Sequence, residues 1–198
     1  TALTDASPAE LRAYVIDLEP EALQGVLRNV KGIYHELLFA HAENVDGDAV
    51  AAQLFEATNH AGADVEFYVD GHSVGVVQLK AVESPSHIAE HLAHYPDIEV
   101  RATEEVASGL PNVESSGFAN AVLTETVADT TDELRGEGLA TEAVEGVGSS
   151  VVVTAAFTAG AMLRSRTVSK AQLKSALGDA ATGGVAAIVL DALLGDVV

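Results

Sequence analysis

The chain has 198 residues, with 30 acidic against 10 basic side chains and a formal charge of −20. Its hydrophobic share of 48% supports a sizeable core and excludes disorder as the global state. Cysteine is absent, which excludes disulfides, thiolate chemistry and cysteine-ligated zinc.

Residues 5–30 read as helices. Ser7-Pro8 is a helix start, and Leu18, Leu23 and Val26 supply helical apolar spacing. Val30, Ile33, Leu37, Leu38 and His41 continue it at three- and four-residue steps. Asp46-Gly47-Asp48 is a turn, and residues 49–55 suit either a short helix or a strand. The period then changes to two. Val65, Phe67 and Val69 alternate with Asp64, Glu66, Tyr68 and Asp70, the pattern of a half-buried strand. Asp70-Gly71 marks a hairpin, with residues 75–81 as the returning strand. Ser84-Pro85 opens a helix through His94, which Tyr95-Pro96-Asp97 ends. Residues 98–103 form a further strand, and a short helix starts at Glu104. Residues 109–117 are loop-like, helical patterning resumes over 120–134, and residues 136–138 look flexible.

Composition breaks after Gly146. Residues 147–198 hold three acids (Asp179, Asp191, Asp196) against four bases (Arg164, Arg166, Lys170, Lys174). Two apolar stretches, 147–163 and 182–198, flank the basic one. Each falls short of the ~20 apolar residues of a membrane span, and their small residues suit close helix packing. The expected organisation is an N-terminal helical segment (1–25), an α/β domain (26–108), a linker with a helix (109–146) and an apolar helical tail (147–198). The tail is expected to meet copies of itself or a protein partner, with a membrane as the alternative.

An acid excess on so apolar a chain reads as adaptation to concentrated salt, where self-repulsion is screened to roughly 3 Å at 1 M. Lysine is scarce, present only as Lys31, Lys80, Lys170 and Lys174. No basic region followed by an apolar run opens the chain, so the expected compartment is the cytoplasm of a halophile. A virion or membrane association through the tail is the other expectation.

Within GVVQLKA, Gln78 and Lys80 are two apart and point to one face, against Val77 and Leu79. The hairpin brings the Asp64 strand alongside. An acid that binds a divalent cation, near a lysine that steadies the nucleophile or the scissile phosphate, is the working core of metal-dependent phosphodiester cleavage. Carboxylate and carbonyl oxygens suit Mg²⁺. Glu36, in YHELLFAHAEN on the preceding helix, is the acid that completes the set.

These residues resemble the PD-(D/E)xK restriction-endonuclease-like superfamily, and its Mrr-type branch in particular, over roughly residues 26–106. GADVEF supplies the aspartate as Asp64, VVQLK supplies Q-x-K as Gln78 and Lys80, and Glu36 is the helix acid. The resemblance implies an α-β-β-β-α-β core, here with a helical Gly/Ala-rich C-terminal extension. It also implies Mg²⁺ on Asp64, Gln78 and Glu36, and nucleic-acid cleavage. Two departures stand out. No proline precedes Asp64, and Gln78 makes the metal site poorer in charge, as in degenerate members of the superfamily. Arg28, Lys31 and Arg101, with Lys80, are the core's bases for meeting phosphate.

His87, His91 and His94 recur at four- and three-residue steps on one expected helix, a spacing at which imidazoles can share zinc. No HExxH accompanies them. The other reading is an amphipathic helix with Ile88, Leu92 and Tyr95 buried and the histidines at its margin. His60 and His72 flank the Asp64 strand as candidate proton carriers. No P-loop, dinucleotide fingerprint or nucleophile elbow occurs.

Two functions follow. One is a Mg²⁺-dependent nucleic-acid phosphodiesterase. The other is a non-enzymatic structural or assembly protein of a halophile or its virus, with the acidic domain exposed and the tail buried. The charge of −20 repels phosphates. Molar salt weakens that repulsion, but it also removes most of the counterion-release gain.

Overall fold

The computed structural model describes residues 13–55 and 62–135. The Ser7-Pro8 start, His60, the joint at 136–138 and the tail over 147–198 lie outside them. In chain order the elements are α1 (Pro20–Val45), β1 (Ala51–Leu54), β2 (Val65–Val69), β3 (His72–Lys80), α2 (Ser86–His94), β4 (Glu99–Ala102), α3 (Glu104–Ala107), β5 (Glu114–Ser115) and α4 (Asn120–Arg135). The protein is therefore α/β.

The first helix differs from its expectation. Residues 13–16 are helical, the chain breaks at 17–19, and one helix of 26 residues then runs through Val45. Proline explains the break. Pro20 cannot continue a helix from before it, but its fixed φ suits the first helical position. The expected boundary at residues 25 and 26 thus falls inside α1.

Asn44, near the end of α1, settles the ambiguity over residues 49–55. Its Oδ1 accepts from the Ala52 amide at 2.7 Å, and its Nδ2 donates to the Ala52 carbonyl at 3.0 Å. One side chain thereby satisfies both backbone groups on the outer edge of β1, and an extended strand results. At the hairpin, Asp70 (φ 50°) and Gly71 (φ 74°) take the left-handed conformation of a primed two-residue turn, pairing Val69 with His72.

The five strands lie in the order β1-β2-β3-β4-β5. The first three are antiparallel neighbours, while β3, β4 and β5 run parallel. A parallel step needs a crossover, and α2 supplies it between β3 and β4. The two-residue β5 lies in the stretch expected as loop, where residues this short leave no periodicity to read.

The described residues form two compact units. Residues 13–34 and 124–135 make up one, with Val15, Leu23, Val30, Tyr34 and Val127 buried. Residues 35–55 and 62–123 make up the other and hold the whole sheet. On one face of the sheet, Phe39 of α1 meets Phe67 edge-on at 6.3 Å, and Arg101 lies over both rings. On the other, Ile88 of α2 packs with Val100, Ala102, Val106, Ala107 and Val113. The register sets Gln78 beside Val100 and Lys80 beside Ala102, so both belong to the α2 face. Among the described residues, no helix is long and apolar enough to cross a membrane.

A carboxylate, glutamine and lysine cluster as the candidate active site

Asp64 stands immediately before β2, and Gln78 and Lys80 close β3. Antiparallel pairing brings the two strand ends together: the Asp64 amide donates to the Val77 carbonyl at 2.9 Å. The Asp64 carboxylate then folds onto β3. Its Oδ2 accepts from the Leu79 amide at 2.9 Å and from Nε2 of Gln78. Among the described residues both contacts fall on Oδ2, and Oδ1 is the oxygen that could take a ligand. Gln78 is buried, and its Nε2 also donates to the Leu79 carbonyl at 3.1 Å.

Gly62 aims the chain into this position. Its φ is +83°, and a Cβ there would stand 2.6 Å from Cγ of Tyr95 and 2.9 Å from Cδ1 of Ile98. Only glycine combines that backbone conformation with so close an approach. The turn delivers Ala63 to the interior and Asp64 to the strand mouth.

Glu36 arrives from α1. Its neighbours on either side, His35 and Leu37, are buried. His35 Nε2 shares a 2.7 Å hydrogen bond with Ser116 Oγ, and its ring meets Phe118 edge-on at 5.9 Å. These anchors set the azimuth of the helix, and Glu36 comes within electrostatic reach of Asp64 and Lys80.

The electrostatics follow from that crowding. Burial holds the Glu36 carboxyl well above the usual glutamate range, the negative Asp64 pushes it further, and Lys80 opposes both. Asp64 is also raised, by burial, against the lowering pull of the Leu79 amide, Lys80 and Gln78. Two carboxyl groups and one lysine thus share a desolvated spot in which both acids ionise reluctantly.

That chemistry fits a divalent cation. A hard cation relieves the repulsion between the acids and accepts their oxygens as ligands. Asp64 and Glu36 would hold it. Gln78 enters differently from its expectation, because its amide nitrogen faces Asp64 and steadies that carboxylate. Only its Oε1 remains for a metal.

The remaining candidates separate. Arg101 is committed to protein partners: Glu99 at 2.7 Å, Glu43 at 3.4 Å and Glu114 at 3.8 Å, with Phe39 and Phe67 beneath it. Expected as a phosphate contact, it is thus engaged by three carboxylates of the protein itself. Lys31 is likewise buried and donates to Thr124 Oγ1 at 3.3 Å. Arg28 is exposed in the unit that does not contain the sheet.

The histidines of α2 also part company. His87 is exposed, 3.8 Å from Glu90, and His94 is exposed with Nδ1 against the Glu90 carbonyl. His91 is buried. Among the described residues, no three His, Cys, Asp or Glu side chains are placed to hold one metal ion. His87, His91 and His94, expected as candidate zinc ligands, thus stand apart, because the helix turns only one of them inward. His72 is exposed.

Sequence reasoning missed Gly62 and the separate status of His91. A glycine before a strand carries no signal of its own, and three histidines on one helix look alike until the helix is seated. Compared with protein-family models, curated proteins and solved structures, the chain matches none.

Proposed function

We propose that the chain is a divalent-metal-dependent nucleic-acid phosphodiesterase, built on an α-β-β-β-α-β core of the restriction-endonuclease-like kind and working in concentrated salt. The observation that carries this reading is the meeting of Glu36, Asp64, Gln78 and Lys80 at one end of the sheet, from three separate elements. Mg²⁺ bound there supplies Lewis-acid polarisation of a phosphoryl oxygen and a lowered pKa for water. Asp64 and Glu36 hold the cation. Gln78 fixes the rotamer of Asp64, and Lys80 meets the phosphate.

The test uses linear DNA and, separately, RNA with Mg²⁺ in about 2 M KCl, a salt range in which charge repulsion is short-ranged. Wild-type protein cleaves one of them. Lys80→Ala lowers the single-turnover rate by about 100-fold or more, the scale of losing a group that stabilises transition-state charge. Equal cleavage by both proteins, or none by wild type, ends the proposal.

A second reading rests on the break in charge. Only three of the 30 acids fall in residues 147–198, which suits an assembly protein that buries its tail in an oligomer or a membrane. Size-exclusion chromatography of the full chain against one ending at Glu145 tests it. Identical soluble monomers remove that reading.

A further inference from the structure

Two buried polar atoms lack a hydrogen-bond partner among the described residues: Nε2 of His91 and Oγ1 of Thr103. Both border Lys80. The Thr103 amide donates to the Lys80 carbonyl at 3.2 Å. His91 sits one turn beyond Ile88 on α2, over the sheet face that the register assigns to Gln78 and Lys80. Tyr95 holds it there. The two rings lie 5.1 Å apart, and Tyr95 itself rests against Gly62, two residues before Asp64.

An unpartnered buried donor or acceptor costs about 1–3 kcal/mol, so a fold keeps few of them. His91 is 9% exposed, which keeps solvent from meeting that need. The side chain that can meet it is a long, flexible neighbour carrying hydrogen-bond donors. Lys80 is that neighbour: its charge is felt at His91, whose pKa is lowered first by burial and then by Lys80 and His94. An imidazole kept neutral retains an acceptor lone pair, which an ammonium can use.

We propose that His91 is the positioning residue for Lys80: its Nε2 accepts a hydrogen bond from the lysine ammonium and so directs the remaining N–H groups toward the bound phosphate. This rests on the phosphodiesterase reading for its consequence, while the pairing is read out separately from cleavage. Lys80 then loses little orientational freedom when substrate arrives. The exposed His87 and His94 on the same helix have no comparable position.

The experiment combines two readouts on the full chain in about 2 M KCl. The first is the ¹⁵N signal of the His91 ring, recorded with Mg²⁺ and the dinucleotide TpT above the imidazole titration range. A hydrogen bond accepted at Nε2 shifts that nitrogen, and Lys80→Met abolishes the shift. The second is single-turnover cleavage by His91→Phe and His91→Gln. Phenylalanine keeps the ring and lowers the maximal rate about tenfold or more, with the half-saturating substrate concentration unchanged. Glutamine, which offers an acceptor oxygen, recovers most of the rate. If His91→Phe fails to fold, the ring signal in the wild type and in Lys80→Met still decides. A His91 signal indifferent to Lys80→Met overturns the pairing, even in an active enzyme. A signal that responds while wild-type protein cleaves nothing upholds the pairing and overturns the phosphodiesterase reading.

Discussion

The amide nitrogen of Gln78 donates to Oδ2 of Asp64, which stands just before the neighbouring strand of the hairpin. The carboxylate is therefore oriented before any ligand arrives. A glutamate at the same place would instead set a second negative charge against Asp64.

Gln78→Glu exchanges that steadying donor for repulsion. Without metal the variant unfolds at lower denaturant than wild type, by about 1–3 kcal/mol for a buried polar contact turned unfavourable. With saturating Mg²⁺ the deficit shrinks by about 1.4 kcal/mol, because a third carboxylate raises affinity for a hard cation by about tenfold. Denaturant unfolding without metal and calorimetric Mg²⁺ titration of the two proteins check the two signs. An unchanged Mg²⁺ affinity would falsify the assignment of this spot as the metal site.

The carboxyl of Glu36 sets a pH dependence. Its pKa is raised in the folded state by burial and by Asp64. The stability it contributes is fully present below its unfolded value, near 4.5, and is lost as pH rises through the folded value. In metal-free protein, unfolding free energy relative to Glu36→Gln thus declines with rising pH over that window. Mg²⁺ opposes the decline by favouring the ionised form and releases protons on binding. Denaturation curves of the two proteins at several pH values test this. A wild-type advantage that grows with pH contradicts it.

Gly62→Ala and Gly47→Ala separate two costs. Both glycines have positive φ, +83° and +88°, but only at Gly62 does a Cβ collide, with Tyr95 and Ile98. Gly47→Ala costs about 1 kcal/mol of backbone strain. Gly62→Ala costs about 1–2 kcal/mol more and also displaces Tyr95, and the His91 resonances move with it. Urea unfolding and ring chemical shifts make the comparison. Equal costs would mean that Tyr95 yields freely.

Arg101→Met removes the guanidinium that joins Glu43, Glu99 and Glu114 above two phenylalanines. The thioether keeps the apolar contact, so the loss is mainly charge pairing and ring attraction, about 1–3 kcal/mol. Glu43, already raised by burial against the pull of Arg101, rises further. Substrate affinity stays within about twofold, because the guanidinium is not offered to phosphate. A large loss of affinity at unchanged stability would restore Arg101 as a nucleic-acid contact.

Much of the sheet was legible in the residues. Val65, Phe67 and Val69 alternate, and Asp70-Gly71 is a primed turn that pairs Val69 with His72; a register shift between Phe67 and Tyr68 then sets Val65 against Val77 and Asp64 beside Gln78. The two-residue period then commits Gln78 and Lys80 to one face. Local geometry decides the strands, the turn and the shared face of Gln78 and Lys80, so the grouping could be read before the fold; the one-residue shift that sets Asp64 beside Gln78 could not. The start of α1 was equally local, in Pro20, but the apolar spacing on either side of it masked the break.

The seating of the helices was not legible, because it depends on contacts distant in sequence. His35 finds Ser116 from 81 residues away and thereby turns Glu36 toward the site. Arg101 has the composition of a phosphate contact, yet Glu43, Glu99 and Glu114 claim it once α1 and β5 are in place. His87, His91 and His94 share one helix and one chemistry until Ile88 seats α2 on the sheet and sends His91 alone inward. By itself the sequence determined acidity, strand period, turn and the chemical types at the sheet's end, since each follows from neighbours within a few residues. Only the tertiary structure decided which charges are spent on one another and which remain for a ligand, because long-range packing sets burial and partners.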